Sequence, residues 1–344
     1  MRILFIVPYP TEGPSSRFRV EQYLPVLKAK GIDYTVRPFY NTYIYKMLYK
    51  KGNLFRKSFS FLFFALRRSR DVFCAKFYDI IFIHREAYPF PGAFFERLFR
   101  LFGKKVIYDF DDSVFLKKPA KIRYILRKSD TVIAGNNFLK QYASRYNNNT
   151  VVFPTCINTL IYCPKPKSLD FKKVIIGWIG TSSTSIYLDL LRNVYRALSG
   201  KYKDDIECRI VGGHLANSGP RLVYKDWSLQ SEVSELQEFD IGVMPLFDND
   251  WAKGKCAFKI IQYMAIGIPT VASSVGMNKE VISDGKDGFL VSTEDEWISR
   301  LSTLIEDKAL RQNLGRQARE KARGLYSVEA NEKKFIDIIR NTGG

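Results

Sequence analysis

Short, uninterrupted apolar runs alternate with helical stretches along this chain, and the alternation occurs twice. "RILFIVPY", "IDYTVRPF", "YDIIFIHRE", "KKVIYDFDD" and "SDTVIAGN" read as strands in the first half. "KKVIIGWIGTSS", "DIECRIVGG" and "DIGVMPLF" repeat the pattern in the second. Strands that are apolar on both faces must be covered on both faces, so the sheets are expected to be parallel with helices on either side. "SSRFRVEQYLPVLKAKG", "PGAFFERLFRLFG", "NFLKQYASRY", "IYLDLLRNVYRALSG" and "SEVSELQEF" supply those helices, and long polar helices close the chain. The restart follows the linker-like "FPTCINTLIYCPKPKSLDF". The expected fold class is α/β: two Rossmann-like doubly wound parallel-sheet domains, residues 1–165 and 166–344, facing across a cleft. The last helix is allowed to pack back on the first domain. Ligands of such sheets bind outside the carboxyl ends of the strands.

With 344 residues, of which 46% are apolar, there is material for two cores. The five cysteines are scattered without C-x-x-C spacing, which argues against a disulfide framework or a zinc site and fits a reducing compartment. "MRILFIVPYP" is too short an apolar run for a signal peptide and reads as a first strand. "FSFLFFAL" falls well below the ~18 residues that span a bilayer. Charge divides unevenly, with 29 Lys and Arg against 11 Asp and Glu in residues 1–165 and near balance thereafter. The first half therefore expects an anionic partner, a membrane surface or a nucleic acid.

Residues 46–76 concentrate this charge. Lys46, Lys50, Lys51, Arg56, Lys57, Arg67, Arg68, Arg70 and Lys76 are interleaved with Phe and Leu, against the single acid Asp71. Such a segment suits an anionic membrane surface, or else packs as a core helix with a solvated basic side. No nucleic-acid recognition module accompanies it, so no nucleic-acid partner is expected.

The stretch "KGKCAFKIIQYMAIGIPTVASSVG", residues 253–276, reads as a helix feeding a strand and a glycine turn. Lys255, Lys259 and Gln262 are spaced i, i+4, i+7 and so are expected on one helical face near its start. Two cations beside a helix N-terminus favour a phosphate guest; the plainer reading is a solvated lysine face. In the first half "YDFDD" ends a strand, where the carboxylates can contact reacting sugars, Asp109 or Asp111 first, or hold a metal, or, as Asp111 or Asp112, cap the next helix. His84 and Arg85 also follow a strand, His84 as a catalytic group or a structural one and Arg85 as an acceptor-binding group. Arg17 and Arg19 lie near a helix start with Ser15 or Ser16 as N-cap, placed to hold an acceptor phosphate or carboxylate. No G-x-G-x-x-G follows the first strand, which argues against a dinucleotide cofactor.

The run "FKIIQYMAIGIPTVASSVGMNKEVISDGKDGFLV", with "FDIGVMPL" and "VIIGWIGT" before it, resembles the GT-B nucleotide-sugar glycosyltransferases, in particular glycosyltransferase family 4 (group 1). The resemblance implies a donor site in the second half and an acceptor site in the first. In the family an acidic residue just before "xMAxGxP" binds the nucleotide ribose; Gln262 stands there, and a second acidic position upstream falls on Gly254. An Arg and a Lys expected after the first strand of the second domain are replaced by Gly180, Thr181 and Ser182, whose N–H and hydroxyl groups can serve instead. Asn278 and Glu280 match a segment near the donor.

The expected activity is sugar transfer from a nucleotide-sugar to a glycan or lipid-linked acceptor in envelope synthesis, hexosyl or deoxyhexosyl in type, with retention implied by the resemblance. The nucleotide-sugar is a substrate; no cofactor is expected, and no divalent metal. The protein is expected in the cytoplasm, peripheral on the inner face of the cell membrane. The alternative, prompted by the missing acidic pair, is a non-catalytic nucleotide- or glycan-binding protein of the same fold.

Overall fold

The computed structural model describes residues 1–48, 54–164, 173–215 and 222–344, except the side chains of 48 and 54–59. The chain separates into two units, Met1–Cys156 with Gly254–Cys256 and Asn331–Gly344, and Ile157–Lys253 with Ala257–Ala330. The division falls nine residues before the expected boundary at 165, and part of the linker reading, residues 165–172, lies outside the described residues.

The first unit holds six parallel strands: β1 (Arg2–Val7), β2 (Asp33–Pro38), β3 (Ile80–His84), β4 (Lys105–Phe110), β5 (Thr131–Ala134) and β6 (Thr150–Val152), in the order β2-β1-β3-β4-β5-β6. The apolar runs of β1, β3 and β4 are almost wholly buried, as strands covered on both faces must be. The order reverses at β1 and β3, which puts Val7 and His84 at the switch point where such sheets bind ligands. Residues 331–344 belong to this unit. Phe335 stacks on Tyr23 at 4.4 Å between ring centroids and lies 5.6 Å from Phe153, and Thr342 Oγ1 is 2.7 Å from Thr131 Oγ1.

Two helices of this unit depart from expectation. The segment read as one helix over residues 15–31 is broken into Pro14–Arg19, a 3₁₀ turn and Leu24–Ala29. The break is at Val20, whose ψ of −62° comes with a φ of −127°, just ahead of Pro25. Gly13, not Ser15 or Ser16, is the N-cap, and both serines are buried. In the helix Leu54–Cys74 the basic-face reading is corrected: Arg68 and Asp71 point inward as an ion pair, while Leu62, Phe63, Leu66 and Phe73 point outward. Lys50, Lys51 and the side chains of Arg56 and Lys57 lie outside the described residues.

The second unit repeats the plan with β7 (Val174–Ile179), β8 (Ile206–Val211), β9 (Leu222–Lys225), β10 (Ile241–Met244), β11 (Thr270–Ser273) and β12 (Gly288–Val291), all parallel in the order β12-β11-β10-β7-β8-β9. Its core joins Ile176, Trp178, Leu191, Val194, Leu301 and Leu304. Here the order reverses at β7 and β10, so the turn that leaves β7 at Gly180 occupies the switch point. Among the described residues no helix is long and apolar enough to cross a membrane.

Candidate functional site

In the second unit Gly180 leaves β7 beneath the buried indole of Trp178. A Cβ on Gly180 would lie 2.5 Å from Trp178 Cζ2 and 2.8 Å from Thr184 Oγ1, so the backbone passes where only glycine fits. Thr181 then caps a ten-residue 3₁₀ helix, Ser182–Leu191, in a capping box with Thr184. The Thr181 and Ser183 hydroxyls are 2.8 Å apart, and Ser182 and Ser183 are exposed. The Lys259 ammonium lies 5.4 Å from the centroid of the same Trp178 ring. One indole thus joins the small-residue turn to a half-buried cation in the first turn of the helix Phe258–Ala265. Early N–H groups of a helix are not used within it, and with the helix dipole they favour an anion.

Lys255 is corrected. The helix begins only at Phe258, because Ala257 adopts a left-handed φ of 49°, so Lys255 does not share a helical face with Lys259 and Gln262. It belongs to the first unit, its Nζ 3.5 Å from Asp112 Oδ1. Gly254 has a reason of its own. A side chain there would press on Ser113, whose backbone nitrogen would sit 2.7 Å from the new Cβ, so the acidic residue of the family pattern has no room. Gly254→Ala is expected to cost about 1–3 kcal/mol through overpacking, read as a lowered Tm.

Gln262 is buried and donates from Nε2 to Glu232 Oε1 at 3.1 Å. Glu232 is itself buried, accepting from the Tyr162 hydroxyl and, at 2.7 Å, from Trp227 Nε1. A carboxylate therefore stands beside position 262, delivered by the helix Glu232–Gln237. Sequence reasoning missed it: the two residues are 30 apart and no spacing rule links them. Asn278 is turned inward, its Nδ2 donating to Ser273 O at 3.0 Å, and so braces the turn after β11; Glu280 is exposed.

In the first unit the carboxyl ends of β3 and β4 bring His84, Arg85, Asp109 and Asp111 together. Asp109 is buried and receives His84 Nδ1 at 2.6 Å, Arg19 Nε at 3.2 Å and the Arg19 terminal nitrogen. Burial pushes the Asp109 carboxyl up, but Arg19 and His84 outweigh it and hold it below the usual carboxylate range. Asp109, 1% exposed, is thus turned to Arg19 and His84 and not to solvent, which departs from the expected contact with reacting sugars. Arg19 departs from the acceptor reading also: only 2% exposed, it turns to Asp109, to Phe153 O at 2.8 Å and to Thr155 Oγ1 at 3.4 Å rather than outward.

His84 Nε2 is buried and has no hydrogen-bond partner among the described residues; Asp111 Oδ1 is 4.0 Å away. The tautomer in which Nδ1 donates to Asp109 leaves Nε2 as an acceptor for a hydroxyl proton. Asp111 and Asp112 do not cap the next helix with their side chains. Arg85, held at φ 58°, pairs with both, through Nε to Asp111 at 2.6 Å and through a terminal nitrogen to Asp112. Burial pushes the Asp111 carboxyl up, and the Arg85 charge beside it drives it far down. Cys256, unforeseen in sequence, donates its thiol to Asp111 O at 3.3 Å. The Arg17 guanidinium lies 4.6 Å from the centroid of the Phe18 ring.

Two six-stranded parallel units in series, each with its loops gathered at a switch point, define the GT-B fold. Residues 173–307 match the family model described as Glycosyl transferases group 1. The second unit thus resembles that family in sequence. A D-inositol 3-phosphate glycosyltransferase of Nocardioides sp. is 38% identical over 78 residues, covering 22% of this chain and 17% of that protein. The sulfoquinovosyl transferase SQD2 of Arabidopsis thaliana is 26% identical over 163 residues, 43% of this chain and 30% of its own length. The matched stretches thus span well under half of these curated relatives. Among solved structures, a sucrose-phosphate synthase from Thermosynechococcus elongatus superposes with a TM-score of 0.75 at 15% identity, covering 99% of this chain and 98% of its own. HepE from Anabaena, in complex with UDP and glucose, gives 0.70 at 14% identity over 99% of each chain. At these identities the likeness is one of fold.

Proposed function

We propose that the protein is a glycosyltransferase that moves a sugar from a nucleotide-sugar to a glycan or lipid-linked acceptor. The observation that carries this is the group formed by the Gly180 turn, Trp178 and Lys259 at the switch point of the unit whose residues match the group 1 family. A pyrophosphate fits there, between the N–H groups that open the Ser182–Leu191 helix and the Lys259 ammonium. Gln262, oriented by Glu232, is assigned to a ribose hydroxyl. The complexes of HepE with UDP, and with UDP and glucose, support a uridine nucleotide as the first donor to try.

The reaction is displacement at the anomeric carbon. The bond from C1 to the diphosphate oxygen breaks with its electron pair leaving on the diphosphate, the acceptor oxygen bonds to C1 from that same face, and the acceptor hydroxyl gives its proton to His84 Nε2 or, where that group holds the sugar, to the departing phosphate oxygen. Lys259 and the oriented backbone dipoles meet the charge that builds on that leaving group, where fixed donors act most strongly. His84 Nε2 is the group assigned to the acceptor hydroxyl or to a hydroxyl of the transferred sugar, with Asp109 fixing its ring. Hexosyl or deoxyhexosyl transfer with retention of configuration is the form proposed, in the synthesis of envelope glycans.

Nucleoside diphosphate release from UDP-, GDP- and dTDP-sugars in the presence of a membrane glycolipid extract tests the reading. One donor class is expected to be consumed. Tight binding of a nucleoside diphosphate with no consumption of any donor would overturn the enzymatic reading in favour of a non-catalytic binding protein of this fold.

A further inference from the structure

Two helices of the first unit are turned the wrong way round for a protein surrounded by water. In the helix Leu54–Cys74 the residues facing outward are Leu62, Phe63, Leu66, Arg70 and Phe73, whose apolar members are 58–65% exposed. The inward residues include Arg68, 1% exposed, which pairs with Asp71 at 3.1 Å and donates to Arg37 O at 3.1 Å. The helix Phe94–Phe102 repeats the inversion. Phe94 is 65% and Leu101 74% exposed, while Glu96 lies inside against Lys121 Nζ at 3.0 Å. The Phe73 and Phe102 rings lie 5.9 Å apart, so the two outward faces form one surface, which Phe77 extends. Single exposed apolar side chains are ordinary, but a continuous aromatic and leucine face marks an interaction.

The charges on that surface say what it meets. Among the described side chains of the two helices the acids, Asp71 and Glu96, are both turned inward, and the exposed charges are Arg70 and Arg97, with Lys76 just beyond the first helix and Lys104, beyond the second, paired with Asp79 at 2.9 Å. An apolar face rimmed by cations matches the headgroup and acyl boundary of an anionic bilayer, where rings enter and guanidinium and ammonium groups stay at the phosphates. A second copy of the chain would set cations against cations across a two-fold contact. Protruding Phe and Leu have no counterpart on a duplex phosphate backbone.

We propose that the outward faces of the helices Leu54–Cys74 and Phe94–Phe102 are a membrane-docking surface for anionic lipid. The proposal does not depend on the sugar-transfer reading, and its test uses no donor.

The test is co-sedimentation of the full chain with vesicles of phosphatidylcholine alone or with added phosphatidylglycerol, at low and physiological salt. The wild type is expected to sediment with the anionic vesicles and only weakly with the zwitterionic ones. The triple variant Phe63→Ser, Phe73→Ser, Leu101→Ser changes exposed positions only, so its Tm should match the wild type while its affinity falls at least about tenfold. Arg70→Ser with Lys76→Ser should weaken anionic binding by roughly fivefold per cation and narrow the preference for anionic over zwitterionic vesicles. Wild type left in the supernatant with anionic vesicles at low salt, or a triple variant that binds as well as wild type, overturns the proposal. So does a dimer in lipid-free solution that the triple variant dissociates, which would assign the surface to a second copy.

Discussion

Asp109→Ala is expected to lower the stability of the first unit by about 3–5 kcal/mol, because it leaves the Arg19 guanidinium buried without its carboxylate. His84 Nδ1 loses its acceptor in the same step. At roughly 2–4 °C per kcal/mol for a unit of this size, the melting transition should fall by about 6–20 °C. The double variant Arg19→Met, Asp109→Leu removes both charges together and should recover much of the loss, since the cost lies in the unpaired ion. The pH dependence has a definite sign. The native Asp109 carboxyl titrates below the unfolded one, so its contribution is complete above the unfolded value of about 4 and is lost as pH falls through the lower native value. The gap in Tm between wild type and Asp109→Ala should therefore narrow below about pH 4. A constant gap down to strong acid would mean that the carboxylate is not what holds Arg19.

Lys259→Ala should weaken binding of a nucleoside diphosphate by about tenfold to a hundredfold, the range for loss of one charge-assisted contact of about 1.5–3 kcal/mol. Binding of the parent nucleoside should hardly change, because the ammonium is assigned to phosphate and not to the base or ribose. If Lys259 also meets charge that develops on the leaving diphosphate, kcat falls along with affinity. Loss of the cation over Trp178 should cost the fold little, since the indole is already fixed in the core of the second unit. Equal losses for nucleoside and diphosphate would remove the phosphate assignment.

The sheets were legible because β1, β3, β4, β7, β8 and β10 are buried over nearly their whole length and so had to be written as unbroken apolar runs. β6 and β9 were not, being three and four residues long and only partly buried, with no periodicity to betray them. The site was legible where it rests on local chemistry, as at Gly180 and Lys259. It was not where the partner is distant. Arg19 reads as a cation placed for an acceptor anion until the fold brings Asp109, 90 residues on, against it. The same holds for Gln262, whose carboxylate companion Glu232 lies on another helix. Lys255 failed for a different reason: regular spacing predicted a shared face, and one left-handed residue, Ala257, starts the helix too late for it.

Calorimetric titration of the wild type and Lys259→Ala with UDP, GDP, dTDP and their nucleosides is the most direct test of the central claim, that the second unit holds the diphosphate of a sugar donor. The account predicts that one diphosphate binds selectively, that its nucleoside binds far more weakly, and that the variant loses most of that difference. No binding by any diphosphate, or a variant indistinguishable from wild type, would contradict it.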